Sequence, residues 1–320
     1  MTFEESVRKR PFMYIGKDGL TGLLTGLIID CIKLFKTDQI IFEIKILGDN
    51  DYILAIAAQQ NSDHFWKNFS LDDNDSNLFF HKVLRVIASN FEIRNIDETK
   101  SEICFSFDKK VIADSSVDYL KLSQKVIQIA LLNRGCEIIT LDRRQKYTNQ
   151  NYYHFPQGIF YLFGRATTEV LGKPELKFTI DTKINNNAYQ IGLAYRTDWF
   201  PTPNVVSFAN DVHTIYGGSL VDGILDGLVS ACKAYRRESD ISIFKINRKK
   251  LANGLILFCA VRGQEFKFGG SWEETLEDET VKKQAKKLVA KFALVFFETH
   301  KNIADKFFVR FDMTQLGRMY

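Results

Sequence analysis

The chain has 320 residues, 45% of them apolar and 26% charged, and a formal net charge of +4. Two domains are the expectation at that length, and the composition excludes a disordered or fibrous chain. The small charge excess demands no nucleic-acid partner and permits one only through a local patch.

In chain order the first unusual stretch is VRKRPFMYIG, residues 7 to 16. Three cations, Arg8, Lys9 and Arg10, precede Pro11 and an apolar run from Phe12 to Ile15 that ends at Gly16. Leu20 to Phe35 predicts an amphipathic or buried helix. Gln39 to Leu47 and Asp51 to Ala58 are β-rich and flank Gly48-Asp49-Asn50, a hairpin signal. Asn61 to Asn77 is polar and acidic, hence a loop. Leu78 to Asn90 has helical periodicity, Ser101 to Phe107 alternates like a strand, and Val117 to Asn133 predicts a helix stopped by Gly135. Cys136 to Asp142 reads as a strand and, after a Tyr/Asn-rich turn, Ile159 to Thr168 as a short helix.

A second cycle follows. Leu176 to Thr182, Ala188 to Tyr195 and Val205 to Phe208 read as strands. Leu220 to Arg237 is a long helix opened by Gly217-Gly218-Ser219, with Ser219 expected as its N-cap. Leu255 to Val261 is a strand and Thr280 to Lys301 a long helix with lysines along one side. The expected architecture is therefore α/β, two α+β sandwiches with mixed sheets, divided near Glu169 to Pro174 into residues 1–170 and 171–320. The best apolar run, Gly22 to Phe35, is broken by Asp30 and Lys33 and falls short of the roughly 18–20 residues of a membrane span. With no apolar signal region at the N-terminus, a cytoplasmic protein without membrane contact is expected. Cys31, Cys104, Cys136, Cys232 and Cys259 are scattered without a C-x-x-C spacing and read as buried thiols, so no metal is expected.

These readings name no activity, but the motifs do. VRKRPFMYIG resembles, at nine of ten positions, the V-R-K-R-P-G-M-Y-I-G that opens the ATPase region of gyrase and topoisomerase IV B subunits. Thr21-Gly22-Leu23 is similar to the family's T-G-L, and the stretch from Val117 to Arg144 to its F-L-N-x-G-x-x-I-x-L-x-D-x-R. SFANDVHTIYGGSLVDG, from Ser207, is similar to F-x-N-x-I-x-T-x-x-G-G-T-H-x-x-G. NGLILFCAVRGQEFKF, from Asn253, is similar to the family's E-G-L-x-A-V-x-S-V-K segment. The resemblance implies a GHKL-type ATPase-like domain followed by a transducer domain of the ribosomal S5 domain 2-like type. It also implies that the chain ends where the transducer ends, that it is not a complete B subunit, and that the family's N-terminal exchange arm is absent.

The family's ATP chemistry is then compared position by position. Phosphoryl transfer is mostly positioning and charge neutralisation, so a lost base or metal ligand is severe. The family's E-V-V-D-N matches Ile29-Asp30-Cys31-Ile32-Lys33. Ile29 stands at the base position and Lys33 at the Mg²⁺ position; a one-residue gap would bring Asp30 to the base position. A protonated lysine cannot ligate a cation. The adenine-binding Asp position falls in Ala57-Ala58-Gln59-Gln60, which has no carboxylate. The glycine-rich phosphate loop is replaced by LDDNDSN, with Asp72, Asp73 and Asp75, a loop that repels phosphate and is expected to cap the next helix. The γ-phosphate lysine of the transducer falls on Glu273.

The expectation is a pseudo-ATPase: not an enzyme, with no catalytic, cofactor-binding or metal residues and no cofactor. It would act as a regulator or inhibitor by binding a type II topoisomerase subunit or a second copy of itself. Arg8, Arg10, Met13, Tyr14 and Ile15 are the candidate partner-binding residues, since aromatic and Arg side chains are common interface anchors. The alternative for the same residues is internal pairing of the arginines, with Tyr14 and Ile15 in the core. Arg236, Arg237, Arg248, Lys249, Lys250, Lys282 and Lys283, with Lys286 and Lys287, form a candidate DNA-facing patch, or else a solvated charged face. Two alternative functions stay open: a non-specific DNA binder using that patch, and a residual ATPase.

Overall fold

The computed structural model describes residues 1–16, 18–35, 39–58, 78–114, 116–169, 174, 176–196, 202–238, 246–270 and 274–309. It divides into two compact units, Met1–Gly158 and Ile159–Tyr320.

The first unit opens with two short helices, α1 (Phe3–Lys9) and α2 (Pro11–Ile15). Thr2 and Glu5 form a reciprocal capping box that starts α1, and Pro11 supplies the preset φ that starts α2. Helix α3 (Gly19–Phe35) follows, buried along most of its length. Strands β1 (Ile40–Ile46) and β2 (Asp51–Ala58) form the hairpin that the turn at Gly48 to Asn50 announces, with Ile46 opposite Tyr52. Along β1 the residues Ile40, Phe42, Ile44 and Ile46 are buried and the intervening ones open, the period-2 signature of a sheet covered on one face.

Helix α4 (Phe79–Ile87) runs directly into strand β3 (Ala88–Asn95), which pairs antiparallel with β4 (Lys100–Phe107). The expected helix over Leu78 to Asn90 is therefore three residues too long. Ala88 turns to extended backbone, and the Ser89 hydroxyl donates to the carbonyls of Ser106 and Phe107. Helix α5 (Tyr119–Leu132) is N-capped by Asp118. Strand β5 (Glu137–Asp142) lies parallel to β1, and β6 (Asn149–Tyr153), expected as a turn, closes the edge. The sheet order is β3-β4-β2-β1-β5-β6. The apolar residues of α3, α4 and α5 share one core with the buried faces of its strands.

The second unit begins with α6 (Ile159–Thr168). This start lies about a dozen residues before the expected division at 170/171: α6 packs on the second unit's sheet, where the Phe163 ring lies against Gly192 and 6.3 Å from Phe258. That sheet consists of β7 (Lys177–Ile184), β8 (Asn187–Tyr195), β9 (Asn204–Ala209), β10 (Val212–His213) and β11 (Leu255–Arg262), ordered β10-β9-β11-β8-β7. Helices α7 (Ser219–Glu238), α8 (Arg248–Ala252), α9 (Glu279–Thr299) and α10 (Lys301–Val309) complete it, with the short pair β12 (Phe268–Gly269) and β13 (Thr275–Leu276). Helices α7 and α9 press together where α7 has no side chain. A Cβ on Gly223 would meet the Lys282 carbonyl at 2.5 Å, and one on Gly227 the Lys286 carbonyl at 2.6 Å.

Candidate functional site

The positions that the resemblance assigns to ATP chemistry lie on α3. Ile29 is half-buried against the core, and Lys33 faces solvent. Asp30 is enclosed at 2% exposure. Its Oδ2 accepts from the backbone N–H of Phe80 at 2.8 Å and of His81 at 3.2 Å, and it meets His81 Nδ1 at 3.1 Å. A carboxylate has no proton to give, so the imidazole hydrogen sits on Nδ1. Phe80 and His81 are the second and third residues of α4, whose amides have no partner within the helix. Asp30 is thus a cap supplied from another helix. The loop expected to cap α4, with Asp72, Asp73 and Asp75, lies outside the described residues. Sequence reasoning missed Phe80 and His81. The available signal was Gly26 four residues before Asp30, a small residue and an acid on one helical face. A Cβ on Gly26 would fall 2.3 Å from the Phe80 ring, so the ring occupies the space the glycine leaves.

At the end of the first unit's sheet a cleft of about 500 Å³ opens between Ile40, Ile41, Ala57, Ala58, Glu137 and His154. Strand β2 offers it two methyl groups. Its carboxylate comes from β5, and Glu137 accepts there from the Tyr152 hydroxyl at 2.9 Å. Gln59, Gln60 and Glu273 lie outside the described residues.

In the second unit Gly217 and Gly218 have φ of +70° and +99°, backbone that side chains resist. A Cβ on Gly218 would stand 2.3 Å from the Leu276 carbonyl. Ser219 begins α7 without capping it: its hydroxyl instead accepts from Asp278 N–H at 2.9 Å. Asp278 in turn caps α9. The motif therefore serves as a clasp between the starts of two helices.

The structure separates the five candidate docking residues. Arg8 is exposed but tied to its own unit, donating to the Val86 carbonyl at 2.9 Å and to Asp108 at 2.6 Å. Its guanidinium holds the Asp108 carboxyl below the ordinary carboxylate range. Ile15 is in the core, and Tyr14 is half-buried with its hydroxyl 2.6 Å from that of Ser6. Arg10 and Met13 face solvent, and Phe12 beside them is 61% exposed. Asp108 was the unforeseen partner, a hundred residues away from Arg8.

The expected basic face is also thinned. Arg236 is buried at 7% exposure, with its guanidinium 5.5 Å over the Phe308 ring. Arg248 is engaged by both oxygens of Asp226 and by Asp222 at 2.8 Å, and it lowers the Asp226 pKa. Neither is a free cation for phosphate. Arg237 lies in α7, and its side chain is outside the described residues. Lys249 and Lys283 are exposed, Lys250 is half-buried, and Lys282 stands 3.7 Å from Glu279. Among the described residues no cluster of metal-ligating side chains occurs, and no helix is long and apolar enough to cross a membrane.

Comparison with known proteins places these units. The family model described as DNA gyrase B matches residues 161–314. The DNA gyrase B protein of Clostridium acetobutylicum is 27% identical over 226 residues, 68% of this chain and 34% of that protein. Its counterpart in Streptococcus pneumoniae is 24% identical over 229 residues, 69% of this chain and 34% of that protein. The chain spans about a third of the length of these curated relatives. Among solved structures, the 43K ATPase domain of Thermus thermophilus gyrase B has a TM-score of 0.78 at 14% identity, covering 99% of this chain and 96% of that one. The topoisomerase IV ATP-binding domain of Francisella tularensis has a TM-score of 0.76 at 17% identity, covering 99% and 98%. The second unit is thus similar in sequence to DNA gyrase B, and the chain shares the α/β fold of the gyrase B and topoisomerase IV ATPase domains, as the opening motifs imply.

Proposed function

We propose that this chain is a pseudo-ATPase that neither binds nor hydrolyses ATP and that regulates or inhibits type II topoisomerase through protein contacts. One observation carries the reading. On α3 the base and metal positions hold Ile29 and Lys33, and Asp30, the nearest acid, is consumed by α4. An aliphatic side chain cannot take a proton from water, and an ammonium cannot hold Mg²⁺. Phosphoryl transfer has little else to draw on. The absence of a carboxylate from the end of β2 points the same way for adenine.

Motifs whose shape persists without nucleotide chemistry favour a partner of related architecture, a type II topoisomerase subunit or a second copy of this chain. Arg10, Phe12 and Met13 face solvent in the opening motif and form its contact in this reading. Titration calorimetry with a non-hydrolysable ATP analogue and Mg²⁺ is expected to give no heat, and micromolar binding overturns the proposal. Capture of purified gyrase and topoisomerase IV B subunits is expected to succeed with the native chain. It should weaken at least tenfold in a folded Arg10→Glu/Met13→Ser variant. Tyr14 and Arg8 are unsuitable for this test, because their contacts are internal.

A further inference from the structure

The amides of Phe80 and His81 belong to the first turn of α4, where a helix has donors to spare and the positive end of its dipole. Such a terminus draws an oxyanion from solution. Leu78, at the N-cap position, has no polar side chain to offer. The acceptor comes from α3, fifty residues away in sequence, and it is a carboxylate sealed from water. A second contact fixes the register: the Phe80 ring sits against Gly26, one turn before Asp30. A tethered anion in this position outcompetes any solute, because its effective concentration far exceeds what a dilute ligand reaches.

We infer that Asp30 is an autoinhibitory internal anion, which locks α4 onto α3 and closes the helix N-terminus to oxyanions from solution. The inference rests on the reading of this region as a nucleotide site without function, and it adds how that site is kept shut. Replacement of a ligand group by the chain's own carboxylate differs from the simple loss of catalytic residues: the closure is reversible by one substitution.

The test uses the full chain, native and as Asp30→Ala and Asp30→Asn. Alanine removes the carboxylate group and leaves its space, and formate is that group in solution. Thermal midpoints are compared in sodium formate and sodium chloride at equal ionic strength. Amide exchange at Phe80 and His81 is followed alongside. Asp30→Ala is expected to lose several degrees and to exchange at least tenfold faster at those amides. Formate at about 0.3 M should return roughly 2–4 °C of the loss, saturably, while leaving the native midpoint unchanged. Asp30→Asn keeps an acceptor oxygen and should hold its protection without a formate response. The inference is overturned if Asp30→Ala gives the same midpoint in both salts, if it is unfolded in both, or if formate stabilises the native chain equally. ATP-analogue binding by the native chain would instead sink the proposed function, and the two failures are read in separate experiments.

Discussion

At the residue scale, His81 has the most to say about conditions. It is 3% exposed and hydrogen-bonded to Asp30. Burial pushes its pKa below the ordinary 6.5, outweighing the neighbouring carboxylate, which pulls it upward; Arg85 lowers it further. The imidazole is therefore neutral in the folded chain at pH 7. The unfolded chain takes up a proton near pH 6.5 that the folded one refuses, so stability is full above that value and falls as pH drops through the folded pKa. Asp108, Asp142 and Asp226, all held low by arginines, act with the same sign but only below the carboxylate range. Thermal midpoints between about pH 7.5 and 5.5 are expected to decline, and His81→Gln to flatten the decline. A native profile flat across that window would show that the imidazole is not held neutral.

At the element scale the decisive contact is between α3 and α4. Gly26 admits the Phe80 ring so closely that even one methyl group displaces it. Gly26→Ala is expected to cost about 1–3 kcal/mol in urea unfolding, the usual penalty of overpacking. Phe80→Ala should remove most of that extra cost, so the two changes combine non-additively in a double-mutant cycle. Additive costs would mean that the ring and the glycine are not in register. The other elements were unevenly legible. Strands β1, β2, β8 and β11 follow from alternation or from β-branched runs. Strand β3 was hidden because ASNFEIRN follows a helix with no turn between, and β6 because NQNYY is polar on an exposed edge. The ownership of α6 depends on Phe163 meeting Gly192, a contact between residues far apart in the chain.

For the whole molecule, the basic balance has less reach than its residue count suggests. Arg236 is stacked in the interior and Arg248 is neutralised by two aspartates. Of the candidate cations with described side chains, Lys249, Lys250, Lys282, Lys283, Lys286 and Lys287 remain to meet phosphate. Any DNA binding should therefore be sequence-independent. The slope of log affinity against log salt should be no steeper than roughly −5, about 0.9 for each of about six phosphates. Measured affinities between about 50 and 200 mM salt check this, and a slope near −8 would require another surface.

The sequence alone determined the resemblance to gyrase B and the fold class. VRKRPFMYIG, the Gly217-Gly218 turn and the alternation of strands are local patterns, and each needs its own residue types to form. It also carries the proposal that ATP chemistry is missing, because Ile29 and Lys33 lack the atoms for a base and a metal ligand wherever the helix lies. Tertiary structure decided what the remaining residues do instead. Asp30 could have been read as a displaced base, Arg8 as a docking cation and Arg236 as a phosphate contact. Their partners, Phe80 and His81, Asp108, and Phe308, lie about fifty to a hundred residues away. A charge's role is set by what stands within hydrogen-bond reach and by how much water is excluded, and neither is written in the neighbouring sequence.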